Sequence, residues 1–290
     1  MIKPQADISV ISANYNNGKY LKQFIDSLLT STMLPREIIV VDDGSKDDSV
    51  AILQSLMRQT TFLKPVYLNT NQGFANALNC GLQNASCPYV LRLDPDDYIH
   101  PERIRLQYEM LQNDPTLDIV GSNAAYFDDG SGKIIFKTNF PTEPEAIRKR
   151  YLEATHGVLH GTVMGKTSLF KQIGYDQQHV PAEDYAIFAQ MIARGAYMRN
   201  LPAALTFVRI HSGSVSNDLK FKAIREPYII CNELFNTNYG SIRIHLNYYH
   251  LKFYRKFLFL KNPVKRTWFL ALAICLAPSK LISRIKNRLK

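Results

Sequence analysis

Glu37-Ile38-Ile39-Val40-Val41-Asp42-Asp43-Gly44-Ser45 decides how this chain reads. Four consecutive branched apolar residues, with no polar residue alternating between them, suit a parallel strand covered on both faces. The two aspartates with Gly44-Ser45 then turn the chain. Working outward toward the N-terminus, residues 7–13 (DISVISA) form a second β-rich run, ended by the turn-like Asn14-Tyr15-Asn16-Asn17-Gly18. Leu21, Phe24, Ile25, Leu28 and Leu29 follow at helical spacing, and Pro35 breaks that helix. Working toward the C-terminus, a helix from about Asp48 carries Val50, Ile52, Leu53, Leu56 and Met57. A strand at 66–68, a helix at 74–82 and a strand at 89–93 complete the series. Strand alternating with helix predicts an α/β fold with a mostly parallel sheet and right-handed crossovers.

Beyond Asp97 the pattern loosens. Residues 101–111 read as a helix with Pro101 in its first turn, 119–120 as a short strand, and Asp128-Asp129-Gly130-Ser131-Gly132 as a hairpin turn. Helical spacing returns at 143–152, 168–173 and 184–194, and strands at 198–201 and 205–208 close the domain.

The 290 residues suffice for one large α/β domain with an appendage, and the charge shows where the division falls. The net charge is +10, yet residues 1–218 hold 20 Lys+Arg against 23 Asp+Glu, while residues 219–290 hold 15 against 2. A domain at 1–218 and a helical, basic region at 219–290 are therefore expected. Such asymmetry suits a tail that meets an anionic surface, either a membrane or nucleic acid. Residues 247–260 interleave aromatics with Lys and Arg, and residues 268–277 are apolar for only ten residues, too few to span a bilayer. Residues 279–290 place Leu281, Ile282, Ile285 and Leu289 on one helical face, with Lys280, Arg284, Lys286, Arg288 and Lys290 around it, the pattern of a helix lying in a membrane interface. That apolar spacing favours a membrane surface over nucleic acid. Met1-Ile2-Lys3-Pro4 runs straight into a strand without the marks of a signal peptide, and the four cysteines show no CxxC pair or zinc spacing. The expectation is a cytoplasmic protein with reduced thiols, peripheral on the inner face of the cell membrane.

In an open parallel sheet, ligands bind beyond the carboxyl ends of the strands. Here those ends carry Asn14-Tyr15-Asn16, Asp42-Asp43-Gly44-Ser45 and Asp94-Pro95-Asp96-Asp97, so five carboxylates converge on one rim. Like charges that close need a cation or hydrogen-bond donors, and a divalent ion holding a diphosphate would serve; oxygen ligands suit Mg²⁺ or Mn²⁺. The competing reading, that these aspartates only cap helices and make turns, holds well for Asp42 and Asp43. It holds less well for the 94–97 cluster, because Pro101 already supplies a helix start. No GxGxxG follows the first strand and no GxxxxGK[ST] occurs, which counts against a dinucleotide oxidoreductase and a P-loop enzyme.

Seven stretches, in chain order over about residues 7–216, resemble the family 2 glycosyltransferases of GT-A fold, of the bacterial surface-polysaccharide type. They are ISVISANYNNGKYL, IIVVDDGSKDDS, NQGFANALNCGL, YVLRLDPDDYIHPERI, LHGTVM, IGYD followed by AEDYAIFAQMIARG, and RIHSGSVS. The resemblance implies an inverting enzyme that moves a sugar from a nucleotide diphosphate sugar, of uridine type, to the hydroxyl of a glycan or lipid-linked acceptor. It implies that Ala13, where the family often has Pro, and Tyr15 line the base and ribose pocket, and that Asp43 reads the base. Asp96 is then the first metal ligand, with Asp94 and Asp97 at ribose, donor sugar or metal. Glu183-Asp184 matches the family's acidic pair, whose second member is the base. Arg209 and His211 match a late motif over the diphosphate, in which the His reaches the metal. Glu183 and His160, like Arg209, fall on the diphosphate or acceptor side. The residues alone are compatible with these roles: a carboxylate within reach of the acceptor hydroxyl makes it a nucleophile, and the leaving diphosphate calls for metal and cationic donors. Against that stand a helix-dipole role for Glu183 and Asp184 and a structural role for His160.

Two other functions compete with this reading. A sugar-phosphate nucleotidyltransferase would carry a glycine-rich basic loop after the first strand, where this chain has Asn14-Tyr15-Asn16-Asn17-Gly18. A nucleic-acid-binding protein would use the basic, aromatic tail.

Overall fold

The computed structural model describes residues 3–211, 220–260 and 262–277. The interfacial helix expected at 279–290 and the end of the RIHSGSVS stretch lie outside those residues. The chain divides into two compact units, residues 1–214 and 215–290.

In the first unit β1 (Gln5–Asn14), α1 (Gly18–Leu29), β2 (Leu34–Asp42), α2 (Ser49–Met57), β3 (Leu63–Tyr67), α3 (Phe74–Asn84) and β4 (Tyr89–Arg92) alternate. Their strands lie side by side in the order β3-β2-β1-β4, all parallel. The unbroken apolar run of β2 has the cause its sequence suggests. Val40, with Val10 and Ile38, belongs to the core that takes Leu21, Phe24, Ile25 and Leu28 of α1 and Leu53 of α2. Successive residues of a strand point to opposite faces, so Ile11 and Val41 face the other way. There α3 comes so near that a Cβ on Gly81 would lie 3.5 Å from each of them. Pro35 falls inside β2 rather than at the end of α1, which stops at Leu29. Pro65 sits in β3, an edge strand, where a missing ladder donor is tolerated.

The rest of the sheet is mixed. It comprises β5 (Tyr98–Ile99), β6 (Ile119–Asp128), β7 (Ile134–Lys137), β8 (Met164–Lys166) and β9 (Met198–Ile210), with α4 (Arg103–Asn113), α5 (Pro144–Leu152), α6 (Thr167–Ile173) and α7 (Glu183–Ala193) between them. The order continues β4-β8-β6-β9-β5, with β7 paired to β6. The β4–β8, β8–β6, β6–β7 and β5–β9 pairs are antiparallel, and β6–β9 is parallel. The turn at 128–132 joins β6 to β7 as its residues suggest. β9 is one strand where two were expected, because the break around Pro202 is a register shift opposite Asn123. The Asn123 amide repairs the ladder there, donating to the Pro202 carbonyl and accepting from the Phe140 amide.

The second unit holds α8 (Phe221–Phe235), α9 (Ser241–Phe259) and α10 (Pro263–Leu276). Pro263 opens α10, and the Asn262 side chain caps it by accepting the Lys265 amide at 3.1 Å. Among the described residues no helix is long and apolar enough to cross a membrane. No disulfide occurs among the described residues.

Candidate active site

The parallel half of the sheet ends its strands on one edge, and short polar loops latch together there. Gly44 turns with φ +70°, and a Cβ on it would come within 2.9 Å of the Thr70–Asn71 backbone, so only glycine fits. That close approach lets Asp43 accept the amides of Gln72 and Gly73 at 2.7 and 2.9 Å. Asp42 accepts from the Asn14 side chain and the Ser45 amide. Asp43, expected to read a base, is thus buried and holds the loop that leads into α3. Ala13 is buried at the end of β1, while Tyr15 just beyond it is exposed.

The aspartate cluster separates into three environments. Asp94 forms a two-pronged ion pair with Arg92, whose guanidinium is buried. Asp96 meets His211, Oδ2 to Nε2 at 3.0 Å, both side chains being half-buried. Burial and the Asp94 charge push the Asp96 carboxyl above the usual range, while His211 pulls it back. Asp97 is buried, and its Oδ1 accepts the Arg209 amide at 2.9 Å. Burial, then Asp94 and Asp96, hold its carboxyl well above the ordinary value.

These contacts show what the expected site residues touch. Asp97, expected at ribose, donor sugar or metal, is 3% exposed, and its Oδ1 carries a backbone amide. Arg209, expected over the diphosphate, turns its guanidinium into the protein. It donates to the Asp96 carbonyl at 2.8 Å, to Asp129 Oδ1 at 2.5 Å and to Gln23 Oε1, and it stacks on Tyr20 and Phe127. Asp94, assigned to the nucleotide, has each oxygen occupied by an Arg92 nitrogen and keeps only a partly exposed edge.

Asp184 and Glu183 open α7, where the helix dipole favours negative charge. Asp184 Oδ1 accepts the Tyr185 amide, and Oδ2 lies 4.0 Å from His156 Nδ1, with both side chains partly exposed. Glu183 Oε2 is buried without a hydrogen-bond partner, and burial and Asp184 push that carboxyl up. His160 is buried between Phe74, Tyr175 and Phe188 and shares a 2.7 Å hydrogen bond with the Tyr175 hydroxyl. Burial, helped by Arg92, holds its imidazole well below the ordinary value, so it is neutral.

Two tyrosines relate the aspartate rim to α7. Burial raises Tyr126 to about 12, with Asp97, Asp94 and Asp184 adding to it, so one hydroxyl feels both acidic groups. Tyr175 is likewise raised by burial, lowered by Arg92, and raised by Asp184, Asp94 and Glu183. Arg92, Arg103, Tyr126, Tyr175 and His156 are the site's residues that sequence reasoning missed. A signal existed for Arg92, a charge within an apolar strand just before the aspartates. Arg103 donates to the Arg92 and Gly161 carbonyls, Gln107 Oε1 and Thr206 Oγ1.

A four-stranded parallel half with polar loops at its carboxyl edge, continued by a mixed half, is the GT-A architecture of sugar-transferring enzymes. Residues 9–174 match glycosyl transferase family 2, and the chain belongs to that family. Membership sets the nucleotidyltransferase alternative aside. Among relatives, the chain is 27% identical to the UDP-Glc:alpha-D-GlcNAc-diphosphoundecaprenol beta-1,3-glucosyltransferase WfaP of Escherichia coli, over 77% of this chain and 85% of that one. Among solved structures, S. aureus TarS 1-349 in complex with UDP-GlcNAc superposes with a TM-score of 0.66 at 21% identity, over 94% of this chain and 82% of that one. The mannosyltransferase PcManGT of Pyrobaculum calidifontis, in complex with GDP-Man and Mn2+, superposes with a TM-score of 0.59 at 17% identity, over 99% and 81%.

Proposed function

We propose that this glycosyltransferase moves a sugar from a nucleotide diphosphate sugar, of uridine type, to the hydroxyl of a lipid-linked or growing glycan, inverting the anomeric carbon. The observation that carries the reading is the Asp96–His211 pair at 3.0 Å on the carboxyl edge of the sheet. Among the described residues no three His, Cys, Asp or Glu side chains form a ready metal cage. One carboxylate oxygen and one imidazole nitrogen, half-buried and beside further acids, nevertheless suit a divalent cation whose other ligands are diphosphate oxygens. Mn²⁺ or Mg²⁺ held there would offset the charge that develops on the leaving diphosphate.

The chain's own residues supply the rest. Tyr15, with Ala13 behind it and Asp43 bracing the 72–73 loop, lines the nucleotide end, and the exposed edge of Asp94 faces ribose or donor sugar. Asp184 Oδ2 takes the proton of the acceptor hydroxyl. That oxygen attacks the anomeric carbon from the face opposite the diphosphate, and the electron pair of the breaking C–O bond leaves with the diphosphate. Glu183, His160 and Tyr175 shape the acceptor side. The relative WfaP acts, by its name, on a diphosphoundecaprenol acceptor, which supports a lipid-linked acceptor here and a place at the inner face of the cell membrane. The basic surplus of residues 219–290 supports the same location.

A panel of nucleotide sugars, assayed for donor hydrolysis with Mn²⁺, tests the reading. Hydrolysis of a UDP-sugar is the expected result, and hydrolysis of none across the panel would overturn it.

A further inference from the structure

The second unit contains a surface that the transfer reaction does not explain. Helices α9 and α10 form an antiparallel hairpin whose inner seam is fully occupied. His250 Nδ1 lies 2.8 Å from the Ala273 carbonyl, Phe253 packs on Phe269 at 5.8 Å, and the Arg266 guanidinium covers Phe257 at 4.8 Å. At 3.6 residues per turn, Val264, Trp268, Ala271 and Cys275 fall on the side of α10 opposite Phe269 and Ala273. This is the side where a helix in water carries its charges. Here it is apolar: Val264 is 78% exposed and Trp268 61%, and no charged residue occurs from Thr267 to Ala277.

The surrounding charge says what covers this face. No Asp or Glu follows Glu233, whereas Lys252, Lys256, Lys265 and Arg266 all lie on the hairpin. Lys256 rests its ammonium over the Phe269 ring at 4.8 Å and is nevertheless exposed, as are Lys252, Lys265 and Arg266. A second copy of the chain would bring two strongly basic surfaces together, which like charge disfavours. An anionic lipid surface satisfies both features, since headgroups meet the cations and the acyl boundary meets tryptophan and the aliphatics. With 14 residues, α10 reaches about 21 Å at 1.5 Å per residue, short of a hydrocarbon core of about 30 Å, so it lies in the interface and does not cross it.

We infer that the outward face of α10, centred on Trp268, is the element that enters an anionic membrane surface. The inference rests on the membrane location proposed above and adds the contact itself, on a different segment from the basic end at 279–290. Trp268 is the only tryptophan of the chain and so reports its own environment. Full-length protein is mixed with phosphatidylglycerol-containing vesicles or with phosphatidylcholine alone, and flotation and tryptophan emission are read on the same samples. With the anionic vesicles the protein should float, its emission should shift to the blue, and brominated acyl chains should quench it. Val264→Glu sits at an exposed site in the first helical turn, where folding is unaffected, and should weaken partition at least about tenfold.

Flotation with unshifted emission, and with Val264→Glu floating like the wild type, would overturn the inference and leave the membrane location standing. Absence of flotation would remove both. Emission already blue and shielded from acrylamide without lipid, together with a dimeric mass in sedimentation velocity, would assign the face to a second copy and overturn the inference.

Discussion

Replacing Arg103 by Met tests whether the frame behind the aspartates is built as described. Arg103 is fully buried and donates four hydrogen bonds of 2.9–3.0 Å, to the carbonyls of Arg92 and Gly161, to Gln107 Oε1 and to Thr206 Oγ1. Met fills a similar path without donors, so the two carbonyls and Gln107 Oε1 each lose a partner from this guanidinium. A buried acceptor left without a donor costs about 1–3 kcal/mol, which sets the gross loss at several kcal/mol. Part of this is returned. Burial, and then Arg92, lower the Arg103 guanidinium to about 9, so its charge is itself held at a cost that Met removes. The expected net loss is about 2–4 kcal/mol, with Arg103→Lys in between because an ammonium cannot span the same four acceptors. Urea unfolding should show a lower midpoint at an unchanged slope. A midpoint equal to wild type within error would show that these bonds carry no net stability and that the frame is held elsewhere.

Removing the metal, or its first ligand, should act on the donor. EDTA should abolish transfer, Mn²⁺ or Mg²⁺ should restore it, and Asp96→Ala should weaken metal-dependent binding of a nucleoside diphosphate in calorimetry; full activity in EDTA would refute this. Asp184→Asn keeps shape and removes the proton acceptor, so transfer should fall at least about 100-fold while donor affinity changes little; a near wild-type rate would place the base elsewhere. Glu37 gives a pH signature remote from the site. Its burial would raise the carboxyl, but the Lys64 ammonium and donors from Ser9 and Ser86 outweigh this and hold it at about 2. Its folded value lies below an unfolded one of about 4.3, so its stabilisation is present above that and is lost as pH falls toward 2. Glu37→Gln should therefore lower the melting temperature at pH 7, with the gap to wild type closing between about pH 4.5 and 2 in calorimetric scans; a gap independent of pH would refute the assignment.

The parallel half was legible because β1, β2 and β4 are covered on both faces, which writes a continuous apolar run into the sequence, as at 38–41. Its helices were legible from one-sided spacing, as at Leu21, Phe24, Ile25 and Leu28. The mixed half was less so. β8 is three residues long and carries no periodicity, and β9 reads as two strands because Pro202 interrupts the ladder that Asn123 mends from another strand. In the site, the Asp96–His211 proximity followed from matched motifs, but partners did not. The sequence shows five aspartates and several arginines without saying which meet, so the Arg92 clamp on Asp94 and the inward turn of Arg209 needed coordinates. The exposed side of α10 was hidden for a different reason. An apolar decapeptide reads alike whether it is buried or bare.

Arg209 joins segments far apart in the chain: Gln23 on α1, the Asp96 loop, Asp129 in the hairpin turn and, through its amide, Asp97. All four contacts are made within the protein itself. Fixing a residue's backbone costs about 1–2 kcal/mol of conformational entropy. For this rim that ordering is completed once, during folding, and is not subtracted again from the affinity of each incoming donor. The loop bearing Asp96 is in effect a solid corner of the sheet. It should therefore be lost together with the sheet, in one unfolding step.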